Sequence, residues 1–191
     1  MLGHPPHTPL GPEDKRRLLG LARETLEAYL RCGRYPPHCT TSPALLVPGA
    51  VFVTLRRRGT RELRGCRGEV VARRPLAEAV QRTAVASALG DPRFPPVTLD
   101  ELAQVHIEIS ALTPLAPIRP EEVIVGTHGL MISHRGRAGL LLPQVPVEQG
   151  WDRETFLRWT CRKAGLPDDA WTFPDADLKA FECVVWGEAD G

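Results

Sequence analysis

The order of elements in this sequence predicts an α+β fold with mainly antiparallel sheets. Three observations carry that expectation. The segments read helix, hairpin, helix, short helix, strand, hairpin, helix, strand, without the regular alternation of a doubly wound sheet. Most strand-like runs show the two-residue period of a sheet with one buried face. The chain has 191 residues, 42% of them hydrophobic and 25% charged, which suffices for a sizeable core without metal or disulfide staples.

Residues 1–11, rich in Pro, His and Gly, read as a flexible tail. A helix opens at Pro12, with Glu13 and Asp14 favourable in its first turn. Leu18, Leu19, Ala22, Leu26, Tyr29 and Leu30 form its buried stripe, and Gly33 stops it. Residues 34–49 read as a Pro-rich connection. Residues 50–57 form a strand with Val51, Val53 and Leu55 on one face. Arg58-Gly59-Thr60 turns the chain and residues 62–67 return, making a hairpin. Residues 76–89 are helical and end at Gly90-Asp91-Pro92. Thr98 followed by Glu101 opens a short helix. Val105, Ile107, Ile109 and Ala111 alternate with polar residues in a half-buried strand. Residues 130–133 and 139–142 are two further strands joined by a turn. Asp152 caps a helix that carries Phe156, Leu157, Thr160, Cys161 and Ala164 and stops at Gly165. The last strand, 180–186, places Phe181, Cys183 and Val185 on one face.

The formal charge of +1 gives no reason to expect duplex DNA or an acidic membrane as partner. No stretch is long and apolar enough to span a bilayer, and no signal peptide is visible, so the expected location is the cytoplasm. The five cysteines, Cys32, Cys39, Cys66, Cys161 and Cys183, include no C-x-x-C pair and are expected as reduced thiols. His4, His7 and His38 lack ligand-like spacing; no metal site and no cofactor are implied. P-loop, Rossmann and nucleophile-elbow patterns are missing.

Two glycine-bracketed motifs carry the chemistry that is legible. In Leu63-Arg64-Gly65-Cys66-Arg67-Gly68 a thiol sits between glycines that leave the backbone approachable. An adjacent arginine stabilises thiolate, and strand geometry puts Arg64 on the face of Cys66 and Arg67 on the other. The plainer reading is a small cysteine in a bulged strand with arginines reaching solvent. In Gly126-Thr127-His128-Gly129 a histidine is framed the same way, as base or as structural residue. Asp91 and Arg93 form a local ion pair, or Arg93 points into a binding site. Gln144 and Glu148, beside the apolar run 140–142, line a pocket or satisfy loop backbone groups. Arg56-Arg57-Arg58 lacks the aromatic neighbours of a single-strand nucleic-acid platform.

These motifs, with Phe52-Val53-Thr54-Leu55, Asp91-Pro92-Arg93-Phe94, Ile107-Glu108-Ile109-Ser110, Leu141-Leu142-Pro143-Gln144-Val145 and Lys163-Ala164-Gly165-Leu166 in one order, resemble the AMMECR family. Its prokaryotic members are called AmmeMemoRadiSam system protein A. The resemblance implies two closely packed α+β subdomains. Residues 1–60 and 124–191 would build the larger and 61–123 the smaller, with a cleft between them. It also implies association with a Memo-like protein and a radical-SAM protein, and no established reaction. Arg67 stands where the family usually has an aliphatic residue, and Pro146 where alanine is common.

Two functional readings follow. In one, the chain is a binding or accessory component whose cleft takes a small molecule, a peptide or a partner protein. Arg64, Gly65, Arg67, Gly68, Arg93, Gly129, Gln144 and Glu148 are its candidate lining residues. In the other, Cys66 is a thiol nucleophile or acid–base and His128 shuttles the proton. Nucleic-acid binding is a third, less supported reading, and no membrane partner is expected.

Overall fold

The structure, a computed structural model, describes residues 10–37 and 40–189. His4, His7, His38, Cys39 and most of the expected tail lie outside the described residues. Leu10, by contrast, packs against the core, and Gly11 caps the first helix through its amide to Asp14 Oδ2 (3.3 Å).

The described chain divides into two compact units. Unit 1 runs through Ala111 and takes up the chain again from Val184; unit 2 is Leu112–Cys183. The sequence instead put the divisions after residues 60 and 123. The reason for the difference is the core of unit 1. Leu18, Val53, Val80 and Ile107 belong to one buried cluster, so the residues on either side of 60 cannot be separated.

Unit 1 begins with α1 (Pro12–Cys32), whose stripe Leu18, Ala22 and Leu26 is buried. Gly33 adopts φ 70° and returns its amide to the Tyr29 carbonyl at 2.8 Å. The connection that followed contains an unexpected short helix, α2 (Pro43–Leu46). β1 (Ala50–Arg57) and β2 (Leu63–Glu69) form the hairpin, and α3 (Leu76–Leu89) packs on both strands. A 3₁₀ turn (Glu101–Gln104) leads into β3 (Val105–Leu112), and the strand order is β2-β1-β3. β3 was expected to be half-buried, yet His106 and Ser110 on its polar positions are buried as well.

Unit 2 holds β4 (Ala116–Pro117), β5 (His128–His134), β6 (Arg137–Leu141), α4 (Gln144–Glu148), α5 (Arg153–Lys163) and most of β7 (Asp177–Gly187). β5 pairs antiparallel with β6 and β7, and β4 pairs with β7. Asp152 caps α5 as expected, its carboxylate accepting from the Thr155 amide at 2.8 Å. α5 comes so close to β6 that a Cβ on Gly139 would stand 2.3 Å from the Ala164 nitrogen. α4 was not expected; the Leu-Leu-Pro-Gln-Val run bends into a single helical turn at Pro143. The expected apolar face of the last strand does not continue to its end, because Val185 is exposed. β7 leaves unit 2 at Cys183, and its final residues serve unit 1.

There Glu188 closes the unit. Its carboxylate accepts from Arg23, from Arg58 Nη2 (3.1 Å) and from the Ile107 amide (3.0 Å), while its own amide donates to the Ile107 carbonyl at 3.0 Å. Among the described residues no helix is long and apolar enough to cross a membrane.

Candidate functional site

Cys66 lies on β2 opposite Thr54 of β1 and is half-buried. The Thr54 hydroxyl donates to its sulfur at 3.3 Å, and its amide donates to Asp91 Oδ2 at 2.9 Å. Asp91 is buried just beyond α3. It also accepts from the Arg93 amide (3.1 Å), Nε (2.9 Å) and Nη2 (2.7 Å). The Arg93 guanidinium therefore holds the Asp91 carboxyl far below the usual carboxylate range, against the opposing effect of burial, with the Cys66 and Arg93 amides assisting. Arg93 is pushed up in return, chiefly by Asp91 and to a lesser degree by the charge of Cys66. Arg93 thus shares the Asp91 carboxylate with the Cys66 amide. Of the two expected alternatives for Asp91 and Arg93, the local ion pair is the one formed.

Arg64 does not take the role the sequence gave it. The pairing steps from Leu55↔Gly65 to Arg56↔Leu63, which leaves Arg64 as the extra residue of a bulge. Strict alternation therefore does not set its direction. Its side chain is 3% exposed, and Nε and Nη2 donate to Glu101 Oε1 (2.6 Å) and Oε2 (2.8 Å). Arg64, helped by Arg57, keeps the Glu101 carboxyl below its ordinary range. The position is a fork-to-fork arginine–carboxylate pair, which fixes the bulge to the 3₁₀ turn. Arg67 is exposed.

The glycines have packing reasons. A Cβ on Gly65 would lie 2.2 Å from the Ser87 carbonyl oxygen, so the last turn of α3 rests directly on the strand. Ser87 then reaches between the strands. Its hydroxyl accepts from the Arg67 amide (2.9 Å) and faces the Val53 carbonyl at 2.7 Å and the Thr83 carbonyl at 2.9 Å. Gly68 lies opposite Phe52, whose ring would be 2.1 Å from an added Cβ. Gly129 repeats the device in unit 2: it lies opposite Phe181, with the ring 2.2 Å from an added Cβ. The echo between the two glycine motifs is thus a shared way of seating an aromatic ring on a bare strand position.

His128 belongs to unit 2 and Cys66 to unit 1. His128 is half-buried at the start of β5, and its Nδ1 accepts from the Ile124 amide at 3.1 Å. That hydrogen bond assigns the ring proton to Nε2. It folds residues 124–128 into a tight turn, in which Gly126 takes φ 85° and the Ile124 carbonyl accepts from Thr127 (3.2 Å) and His128 (3.0 Å). Gln144 opens α4 with Oε1 buried and unpartnered, while Glu148 at its other end is exposed. Cys161 is fully buried against α5's neighbours, and burial pushes its thiol up. Among the described residues no three His, Cys, Asp or Glu side chains gather as a metal site would require.

Thr54, Ser87 and Glu101 were not singled out as site residues from the sequence. Thr54 was legible in principle, since it stands on the polar face of β1. Ser87 and Glu101 act across 20 and 37 residues, and no local pattern marks those long-range bonds.

A thiol on a glycine-bearing hairpin edge, tied down by an aspartate–arginine pair, thus sits within an α+β fold. The AMMECR1 family profile matches residues 19–186, and the chain belongs to that family. A protein from Thermococcus gammatolerans is 45% identical over 182 residues, which cover 90% of this chain and 88% of that one. Protein MK0488 from Methanopyrus kandleri is 41% identical, covering 93% and 90%. The crystal structure of the uncharacterized protein PH0010 from Pyrococcus horikoshii superposes with a TM-score of 0.81 at 43% identity, covering 90% of each chain.

Proposed function

We propose that this chain is a binding or accessory member of the AMMECR1 family, which recognises a partner or ligand rather than making and breaking bonds. One observation supports this reading above others: the histidine that the enzymatic reading needs as proton carrier has a structural partner. His128 Nδ1 accepts from the Ile124 amide at 3.1 Å. A general base needs a free lone pair within reach of the proton it removes, and Nε2 of His128 carries the proton in this tautomer. The partners that the family resemblance implies, a Memo-like protein and a radical-SAM protein, are the first candidates.

Isothermal calorimetry against each purified candidate, with wild type and Cys66→Ser, tests the proposal. Binding to at least one of them, with an affinity that Cys66→Ser leaves within about threefold, supports it. Heat release absent with both proteins removes these partners from the reading. A second reading keeps Cys66 as a nucleophile or acid–base and His128 as its proton carrier. It draws on the half-buried sulfur of Cys66, whose amide shares the Asp91 carboxylate with Arg93.

A further inference from the structure

Ile124 is 57% exposed and Val147 60%, the highest values among the large apolar side chains of the described residues. Val147 Cγ2 is 3.2 Å from the position a Cβ would take on Gly126, so Val147 lies on the turn that begins with Ile124. Neither support is loose. The turn is closed by the Ile124–His128 hydrogen bonds already described. The chain after α4 is held by the Trp151 amide on the Pro146 carbonyl (2.8 Å), and Arg153 Nη1 donates to the Glu121 carbonyl at 2.7 Å. Two bulky aliphatic side chains presented to water on a fixed platform are the form of a docking patch, since a free surface gains nothing from holding them there.

The rim identifies the occupant. Glu121, Glu122, Glu148 and Asp152 flank the two apolar residues in sequence and are exposed. Against them stand Arg119, which pairs with Glu122 at 2.7 Å and with Glu121 at 3.6 Å, and Arg153, which is turned to a carbonyl. Four carboxylates stand against two guanidiniums, so the segments that carry the two apolar side chains have net negative charge.

We propose that the Ile124–Val147 surface of unit 2 docks a short protein segment carrying bulky aliphatic side chains flanked by lysine or arginine. Apolar anchors supply the affinity and the basic flanks set orientation and on-rate. The proposal rests on the binding reading above and gives it a place and a partner chemistry.

The test uses the whole chain and two synthetic peptides of about twelve residues, long enough for a helical groove binder. One has leucines spaced a helical turn apart among arginines; the other has glutamate in place of each arginine. Backbone amide shifts are followed by NMR. The basic peptide is expected to shift Ile124, Gly126, Val147 and Glu148, with an affinity that falls about tenfold or more in Val147→Glu. Glu148→Lys is expected to weaken it about threefold and to reduce its salt dependence. Equal binding of the acidic peptide, shifts confined to other regions, or unchanged affinity in Val147→Glu would overturn the proposal. So would self-association of the chain that Val147→Glu abolishes, because the occupant would then be a second copy. Because the probes are synthetic, calorimetry that fails with the Memo-like and radical-SAM proteins leaves this outcome independent.

Discussion

Asp91→Asn measures how much of the Cys66 hairpin depends on one carboxylate. Asp91 accepts four hydrogen bonds, two from backbone amides and two from the Arg93 guanidinium. Asparagine keeps one acceptor oxygen and turns an N–H₂ toward the remaining donors, so about two of the four bonds are lost. Each charge-assisted bond to a buried group contributes about 1.5–3 kcal/mol. Arg93 is 56% exposed and recovers part of that from water. The net cost is therefore about 2–3 kcal/mol of unit 1 stability at pH 7. The assay is urea unfolding read by hydrogen exchange of β2 and α3 peptides. The pH dependence supplies a second reading. The folded-state pKa of Asp91 is depressed, so its contribution is complete above an unfolded value of about 3.9 and is lost as pH falls through the folded value. The gap between wild type and Asp91→Asn is expected to hold from pH 7 to about pH 5 and to narrow below pH 4. A loss under about 0.5 kcal/mol, or a gap that is the same at pH 3 as at pH 7, would refute the reasoning.

Three further outcomes follow from the packing. Ser87→Ala removes the hydroxyl between the Val53 carbonyl and the Arg67 amide, and is expected to cost about 1–2 kcal/mol in the same urea titration. Gly129→Ala drives a methyl into the Phe181 ring, costing about 1–3 kcal/mol, and Phe181→Leu in the same chain is expected to recover part of it. Glu188→Ala removes the Ile107 amide's acceptor and the carboxylate of Arg23, which keeps only the Leu102 and Val105 carbonyls; a loss of about 2–4 kcal/mol is expected, measured by fluorescence of Trp186, whose Nε1 donates to the Lys15 carbonyl at 3.0 Å.

What the sequence made legible was the part set by local periodicity. α1, β1 and α3 begin and end within a residue of their expected limits, because Pro12, Gly33, Gly59 and Gly90 punctuate strongly periodic runs. α4 was missed because one helical turn containing Pro146 has no period to read. The division into units was misplaced because it depends on which side chains share a core, and Val53, Val80 and Ile107 are far apart in sequence. At the site, the unusual glycines were visible but their reason was not. Phe52 and Phe181 reach them only through strand register, and Ser87 only through helix packing. Arg64 was misassigned by the alternation rule, which a single bulge residue suspends.

The proposed binding reading treats Cys66 as part of a structural network rather than as a catalytic nucleophile. Its alkylation rate by iodoacetamide, relative to Cys32 in the same folded protein, tests this most directly; peptide-mapped mass spectrometry reads both. Cys32 is exposed at the end of α1, and Cys66 is half-buried with Thr54 on its sulfur. The account predicts that Cys66 reacts more slowly than Cys32 and becomes equal to it on unfolding. A Cys66 that reacts about tenfold faster than Cys32 while the protein is folded would contradict it, and would return the thiol to the centre of the chemistry.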